Sequence, residues 1–146
     1  DISNDMFFQM VEFLEISGQE NSIALVSSGA YIESMYIAFQ SVDQYSPENE
    51  LIKQIAELKY PLRNLLDHAE SVSEDPNVQS ILKYIKELNN TFNELSEESS
   101  GGEVKHDEPG VISLTGGGDD VLNEEGFMAL KDKVEEIRNY IVNVQD

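Results

Sequence analysis

The stretch from Ser22 to Asp43 is the most apolar part of the chain, and its pattern is that of a helix. Laid out at about 100° per residue, it has an apolar main face and two apolar flanks. The main face consists of Leu25, Gly29, Ile32, Tyr36 and Phe39. One flank consists of Val26 and Ile37, and the other consists of Ala24, Met35 and Val42. The remaining side consists of small residues: Ser27, Ser34, Ala38 and Ser41. Small residues let a neighbouring backbone approach. Because a helix that is apolar almost all round is usually buried on several sides, this one is predicted to be the centre of a helical bundle.

A membrane-spanning helix is the alternative interpretation of the same stretch. The apolar run from Ile23 to Phe39 is interrupted by a carboxylate, a glycine and several serines. A spanning helix needs about 20 mostly apolar residues, and a charge at its centre is costly in lipid. The pattern therefore favours a buried helix, and it singles out Glu33, the one formal charge between Glu20 and Asp43.

Four further segments repeat an apolar spacing of three and four residues, which is typical of amphipathic helices. With the central stretch counted as the second helix, these segments are the first, third, fourth and fifth helices of the chain. The first runs from Ser3 or Asn4 to Ser17, ahead of Gly18, with an apolar stripe made of Met6, Phe7, Met10, Phe13 and Leu14. The third runs from Pro47 to Ser71, with Ser46 as its N-cap and Pro47 at its first position. Pro61 lies inside this third helix and is expected to bend it, because proline lacks the backbone donor.

The fourth helix is predicted to start at the Asp75-Pro76 pair, and the fifth is predicted to start after Asn123, which suits an N-cap. Between them, residues 97–120 are rich in Gly, Glu and Ser and lack periodic apolar positions, which predicts a flexible loop. The chain is thus expected to be all-α. It should form one domain over residues 1–146, an antiparallel bundle of about five helices with one long glycine-rich acidic loop.

Charge narrows the classes of partner. Nine basic and 29 acidic residues give a formal net charge of −20, which argues against binding nucleic acid or anionic lipid because such polyanions are repelled. The chain has no cysteine, so disulfide and thiol chemistry are absent. It begins at Asp1 with neither an initiator methionine nor a signal peptide, and we expect it to be the C-terminal part of a longer protein.

Three sites other than Glu33 invite a chemical interpretation, and a structural interpretation is favoured for each. His68 resembles the histidine of phosphotransfer bundles, but Glu70 and Ser71 follow it where those bundles have lysine and glycine. His106 lies among carboxylates in the loop, where it is expected to be solvated. The turn of Gly116 to Asp120 with Glu124 and Glu125 lacks the ligand spacing of a calcium loop. No metal site, cofactor or catalytic residue is therefore expected.

Glu33 is expected to lie at the bundle edge or to be buried with a partner. The chain has only two arginines, Arg63 and Arg138, and Arg138 is the favoured partner because its helix has a straight apolar seam without a proline. A structural ion pair or a ligand site formed by Glu33, Tyr36 and one of the arginines is the site hypothesis. If the pair is buried, each single substitution should be costly, and the double substitution should cost less than their sum.

Four segments resemble the C-terminal half of helical lipoproteins from Bacteroidetes: SSGAYIESMYIAFQ, PLRNLLDHAES, DPNVQSILKYIKELNNTF and VEEIRNYIV. The resemblance follows the whole chain in order. It implies an all-helical fold, a further helical region before this chain, and a lipid-modified cysteine upstream of it. It also implies a location in the cell envelope, in the periplasm or at the outer membrane, and it supplies no catalytic residues.

These observations lead to one functional expectation and one alternative. The expected function is that of a non-enzymatic helical binding or scaffold module of the bacterial cell envelope, with a protein or small-molecule partner. It would contact the membrane only through a lipid anchor that this chain lacks. The alternative is a sensor-like bundle that binds a small ligand in a closed pocket lined by Glu33, tyrosines and an arginine.

Overall fold

The computed structural model describes residues 2–99 and 122–143, and those residues form helices joined by short connections, with no strand among them. The helices are α1 (Ile2–Ile16), α2 (Glu20–Gln40), α3 (Glu50–Glu57), α4 (Lys59–Ser71), α5 (Pro76–Ser99) and α6 (Glu124–Asn143). Since α3 and α4 together correspond to the third helix expected from the sequence, the prediction of an all-α bundle of about five helices is confirmed.

Helix α2 is the centre of the bundle, because it packs against each of the other five helices. Two polar contacts set its direction relative to α6. Glu33 meets Arg138, whereas Gln40, further along α2, donates to Glu135, which comes earlier in α6. The order is reversed along the two helices, so α2 and α6 are antiparallel.

The core is formed by α2 to α6. Its main cluster includes Ile32, Met35 and Phe39 of α2 together with apolar side chains of α3, α4, α5 and α6. A second, smaller cluster lies where α2, α4 and α5 meet, and it consists of Ala24, Ala69, Val78 and Leu82. Among the described residues, no side chain of α1 belongs to either cluster.

A tight turn at Gly18 joins α1 to α2. Gly18 adopts a positive φ of 66°, in the left-handed region that favours glycine. Its N–H donates to the Glu15 carbonyl oxygen at 3.0 Å, and the Gln19 N–H donates to the Leu14 carbonyl oxygen at 2.9 Å. This pair of bonds is the Schellman motif, which ends α1 and turns the chain back into α2.

The third predicted helix is interrupted at Leu58, about one turn before Pro61. Proline at position 61 has no N–H for the carbonyl of Glu57, four residues earlier, and its ring crowds that carbonyl. The Leu58 N–H donates to the carbonyl oxygen of Ile55, three residues earlier, at 3.1 Å, and this tighter turn ends α3. The Tyr31 hydroxyl donates to the Leu58 carbonyl oxygen at 2.8 Å and so fixes the break against α2. Burial raises the pKa of Tyr31 well above its ordinary value.

Two predicted boundaries of the third and fourth helices were wrong. Helix α3 begins at Glu50, not Pro47, because Asn49 is the N-cap and its side chain accepts from the Leu51 N–H at 2.9 Å. Helix α5 continues to Ser99, so the first residues assigned to the flexible loop of residues 97–120 are helical. The rest of that predicted loop lies outside the described residues.

Of the helices that the structure describes, α2 alone has the length and apolar composition of a membrane span. The core helix of a soluble protein meets the same criteria, and α2 occupies the core position here. Packing against the other helices accounts for the buried apolar residues of α2, such as Ile32, Met35 and Phe39, but not for Val26 and Ile37, which are exposed.

Candidate functional site

Glu33 and Arg138 form a two-pronged ion pair between α2 and α6. Arg138 Nε donates to Glu33 Oε2 at 2.7 Å, and Nη2 donates to Oε1 at 3.2 Å. The guanidinium also lies over the ring of Tyr36, with Cζ 4.2 Å from the ring centroid. A planar guanidinium suits both contacts, since it can bind a carboxylate with two parallel donors and stack on an aromatic face.

The pair stabilises the charged forms of both side chains. The hydrogen bond from Arg138, helped by its positive charge and opposed by partial burial, holds the pKa of Glu33 below its ordinary value of 4.5. The hydrogen bond to Glu33 likewise raises the pKa of Arg138. Glu33 is therefore ionised at neutral pH and suited to holding Arg138 rather than to donating a proton.

The structure brings Glu33, Tyr36 and Arg138 together and leaves Arg63 apart, on the exposed surface of α4. Of the two places expected for Glu33, the bundle edge and a buried ion pair, the structure shows the edge, because the Glu33 side chain is 47% exposed and that of Arg138 is 29% exposed. Val26 and Ile37, which share the flank of α2 that carries Glu33, are exposed among the described residues, so the carboxylate lies at the bundle edge and is also paired. Two donors of Arg138 are engaged by Glu33, and the cluster is accordingly a polar contact between α2 and α6.

We expect Glu33→Gln and Arg138→Gln each to lower the urea midpoint of unfolding slightly, because a half-exposed ion pair contributes little to stability. The double variant should lose less than the sum of the two single losses, since the singles remove the same interaction. Equilibrium unfolding of the four proteins at low salt measures this coupling. Full additivity would contradict a direct interaction between the two side chains.

The pH dependence of the same variants provides the control. Since folding lowers the pKa of Glu33, its contribution is present above the ordinary value of 4.5 and is lost as pH falls through the lower folded value. The stability difference between wild type and Glu33→Gln should therefore shrink below that pH. The same set of single and double substitutions at the Lys53–Glu50 pair within α3 is the comparison. This pair is more exposed, so its two side chains should show a smaller coupling free energy.

Among the described residues, α1 carries more exposed large apolar side chains than any other helix. Val11 and Leu14 are partly buried, and α1 packs chiefly against α2. Most other apolar side chains of α1 face water: Met6, Phe8, Met10, Phe13 and Ile16. Met6, Met10 and Phe13 follow one another at steps of four and three, so they form a continuous stripe, which we call the α1 face.

The sequence predicts the apolar stripe of α1 but does not show that the stripe is exposed. Phe13 is 65% exposed and Met6 is 66% exposed. The sequence did contain a signal, because the apolar residues of α1 cover a wider arc than one neighbouring helix can bury. The stripe is exposed because α1 packs chiefly against one helix, α2.

The outer side of α2 also differs from expectation. Val26 and Ile37, expected to be buried on one flank, are exposed. Ser34 and Ser41, expected to allow a close approach, are exposed as well. The close approach occurs instead on the third flank, at Ala24, and at Ser28, which is fully buried and whose hydroxyl donates to the Ala24 carbonyl oxygen at 2.7 Å.

The structure describes only some of the remaining candidates. His68 is partly buried near the end of α4, and its Nε2 is buried without a hydrogen-bond partner. Glu124 and Glu125 lie in the first turn of α6, where the helix dipole favours anions. His106 and the residues from Gly116 to Asp120 lie outside the described part of the chain. Within residues 2–99 and 122–143, no group of three or more acidic or histidine side chains is placed to hold a metal ion.

Comparison with known proteins gave no match, whether to a family model, to a curated protein or to a solved structure. The resemblance to the Bacteroidetes lipoproteins therefore stays an expectation from the sequence. The function is argued below from the geometry of the α1 face and of the cluster around Arg138.

Proposed function

We propose that this protein is a non-enzymatic helical binding or scaffold module that binds a protein partner through the α1 face. The observation that carries the proposal is the exposure of Met6, Met10 and Phe13 in one stripe on a helix outside the core. Contiguous apolar patches on soluble proteins commonly mark interaction sites. The bundle of α2 to α6 then serves as the scaffold that presents α1.

The free energy expected from burying the α1 face is large enough to support binding. Burying one large apolar side chain contributes about 1.5–3 kcal/mol, so the three side chains of the α1 face together contribute several kcal/mol. Association costs at least about 4 kcal/mol in lost translational and rotational freedom. The α1 face alone thus supports weak or moderate binding, and contacts at its rim determine how tight the complex becomes.

The place of action follows from the sequence resemblance. The resemblance to lipid-anchored proteins supports a module that acts at the bacterial cell envelope, held there by an anchor upstream of this chain. The competing hypothesis, a small ligand in a closed pocket at Glu33, gains no support, because Glu33 is half exposed and Arg138 is engaged by it.

Site-specific photo-cross-linking in the cells that make the protein tests the proposal. A benzophenone amino acid replaces Phe13 in one variant and Met128 in the control, because Met128 is also exposed but lies on α6. We expect an adduct with one protein partner from position 13 and none, or a much weaker one, from position 128. Equal adducts from both positions, or none from position 13, would contradict the proposed function.

A further inference from the structure

The surroundings of the α1 face are uniformly acidic. From Asp1 to Ile52 the chain has nine acidic residues and no lysine or arginine. In α1 itself, Asp5 and Glu12 are exposed roughly a third of a turn from the α1 face, on the side away from α2, and Glu15 is exposed on the opposite side of the helix. A partner that covers Met6, Met10 and Phe13 therefore approaches an acidic helix and meets no cation from α1 or α2.

Among the residues that the structure describes, every lysine and arginine lies on α3 to α6, and several of them are already paired. Lys86 pairs with Glu70, Lys133 pairs with Glu87 and Glu136, and Arg138 pairs with Glu33. The net charge of −20 extends the same sign over the whole molecule. Electrostatic complementarity at the α1 face thus requires positive charge from the partner.

The shape of the face indicates a helix as the partner. Its apolar side chains recur at i, i+4 and i+7, the spacing with which two helices pack along a seam. A helix of 15 residues is about 22 Å long, which gives a partner helix of three to four turns a full-length contact. Methionine side chains adapt to different apolar shapes, and such surfaces commonly receive amphipathic helices.

Resting on the proposed function, we infer that the α1 face binds an amphipathic helix whose apolar stripe is flanked by lysine or arginine. The partner's stripe covers Met6, Met10 and Phe13, while its cations are attracted by the acidic surface around the α1 face, to which Asp5 and Glu12 contribute. A second copy of this chain is disfavoured as the occupant, because it would bring an equally acidic α1 against the first. An anionic membrane is disfavoured for the same reason.

A peptide titration of the full chain tests this inference. The probe is a fluorescently labelled peptide of three heptads with leucine at the a and d positions and lysine elsewhere. One control peptide has the same composition in scrambled order, and a second has glutamate in place of lysine. Fluorescence anisotropy should show that wild type binds the leucine–lysine probe at least roughly tenfold more tightly than either control peptide.

The variant Phe13→Glu separates specific docking from general attraction between opposite charges. It adds a negative charge, so purely electrostatic binding would become tighter, whereas docking on an apolar face becomes weaker by roughly tenfold or more. Met128→Glu adds the same charge at an exposed site on α6 and should leave the affinity of the probe nearly unchanged. Both variants alter exposed side chains, and matching circular dichroism spectra check that each is folded.

The other outcomes overturn the inference in distinguishable ways. Equal binding of the glutamate peptide would refute the required positive charge, and tighter binding by Phe13→Glu would show that the probe is held by charge alone. Self-association abolished by Phe13→Glu would make a second copy the occupant, and Phe13-dependent binding to zwitterionic lipid vesicles would make it a membrane. In each case, a partner adduct from position 13 in cells would still support the proposed function.

Discussion

Replacing Phe39 with alanine should lower the free energy of unfolding by about 3–5 kcal/mol, the usual cost of removing a buried phenylalanine side chain. Phe39 is 1% exposed, and its ring meets that of Phe127 edge-on with the centroids 5.1 Å apart. Phe127 in turn lies 5.9 Å from Tyr45, whose hydroxyl donates to the Leu122 carbonyl oxygen. The loss therefore opens a cavity between the end of α2 and the start of α6.

Ile37→Ala in the same helix is the matched control. Ile37 is 57% exposed, and surface substitutions usually change stability by less than about 0.5 kcal/mol. Urea unfolding of both variants against wild type measures the two differences. Similar losses for Phe39→Ala and Ile37→Ala would contradict the orientation of α2 in the bundle.

Replacing Ala24 with leucine should destabilise the fold by about 1–3 kcal/mol, the usual cost of overpacking a tight core. Ala24 is fully buried in the small cluster with Ala69, Val78 and Leu82, where α2, α4 and α5 meet. A larger side chain at this position must push at least two of these helices apart. If the site had room, the added apolar area would instead increase the stability of the fold.

Ala30→Leu provides the same chemical change on the exposed side of α2. It should leave stability within about 0.5 kcal/mol of wild type. Thermal unfolding followed by circular dichroism compares the two variants directly. A stabilised Ala24→Leu protein would mean that α2 and α4 are further apart than the small cluster indicates.

The helices were predictable because their apolar residues recur at steps of three and four, a property that each segment carries by itself. The break at Leu58 was predictable only in part. Pro61 identified the affected turn, but the place of the interruption depends on which carbonyl loses its donor and on the Tyr31 hydroxyl that holds Leu58. The N-cap Asn49 was missed because Ser46 and Pro47 form an equally regular start signal three residues earlier.

The candidate site was less predictable because exposure depends on neighbours that are distant in sequence. Arg138 was favoured as the partner of Glu33 from the straight seam of its helix, and the structure places the two side chains in contact. Nothing local to Glu33 indicates that its flank of α2 is exposed, as Val26 and Ile37 show it to be. The α1 face was hidden for the same reason, since an apolar stripe looks alike whether or not another helix covers it.

The methionine methyl groups give the most direct test that the α1 face is the binding surface. The chain has four methionines: Met6 and Met10 lie on the face, Met35 is buried in the core, and Met128 is exposed on α6. In the NMR spectrum of protein labelled with 13C at these methyl groups, the leucine–lysine probe should shift the signals of Met6 and Met10. It should leave those of Met35 and Met128 in place. Shifts at Met128 without shifts at Met6 and Met10, at saturating probe, would contradict the account.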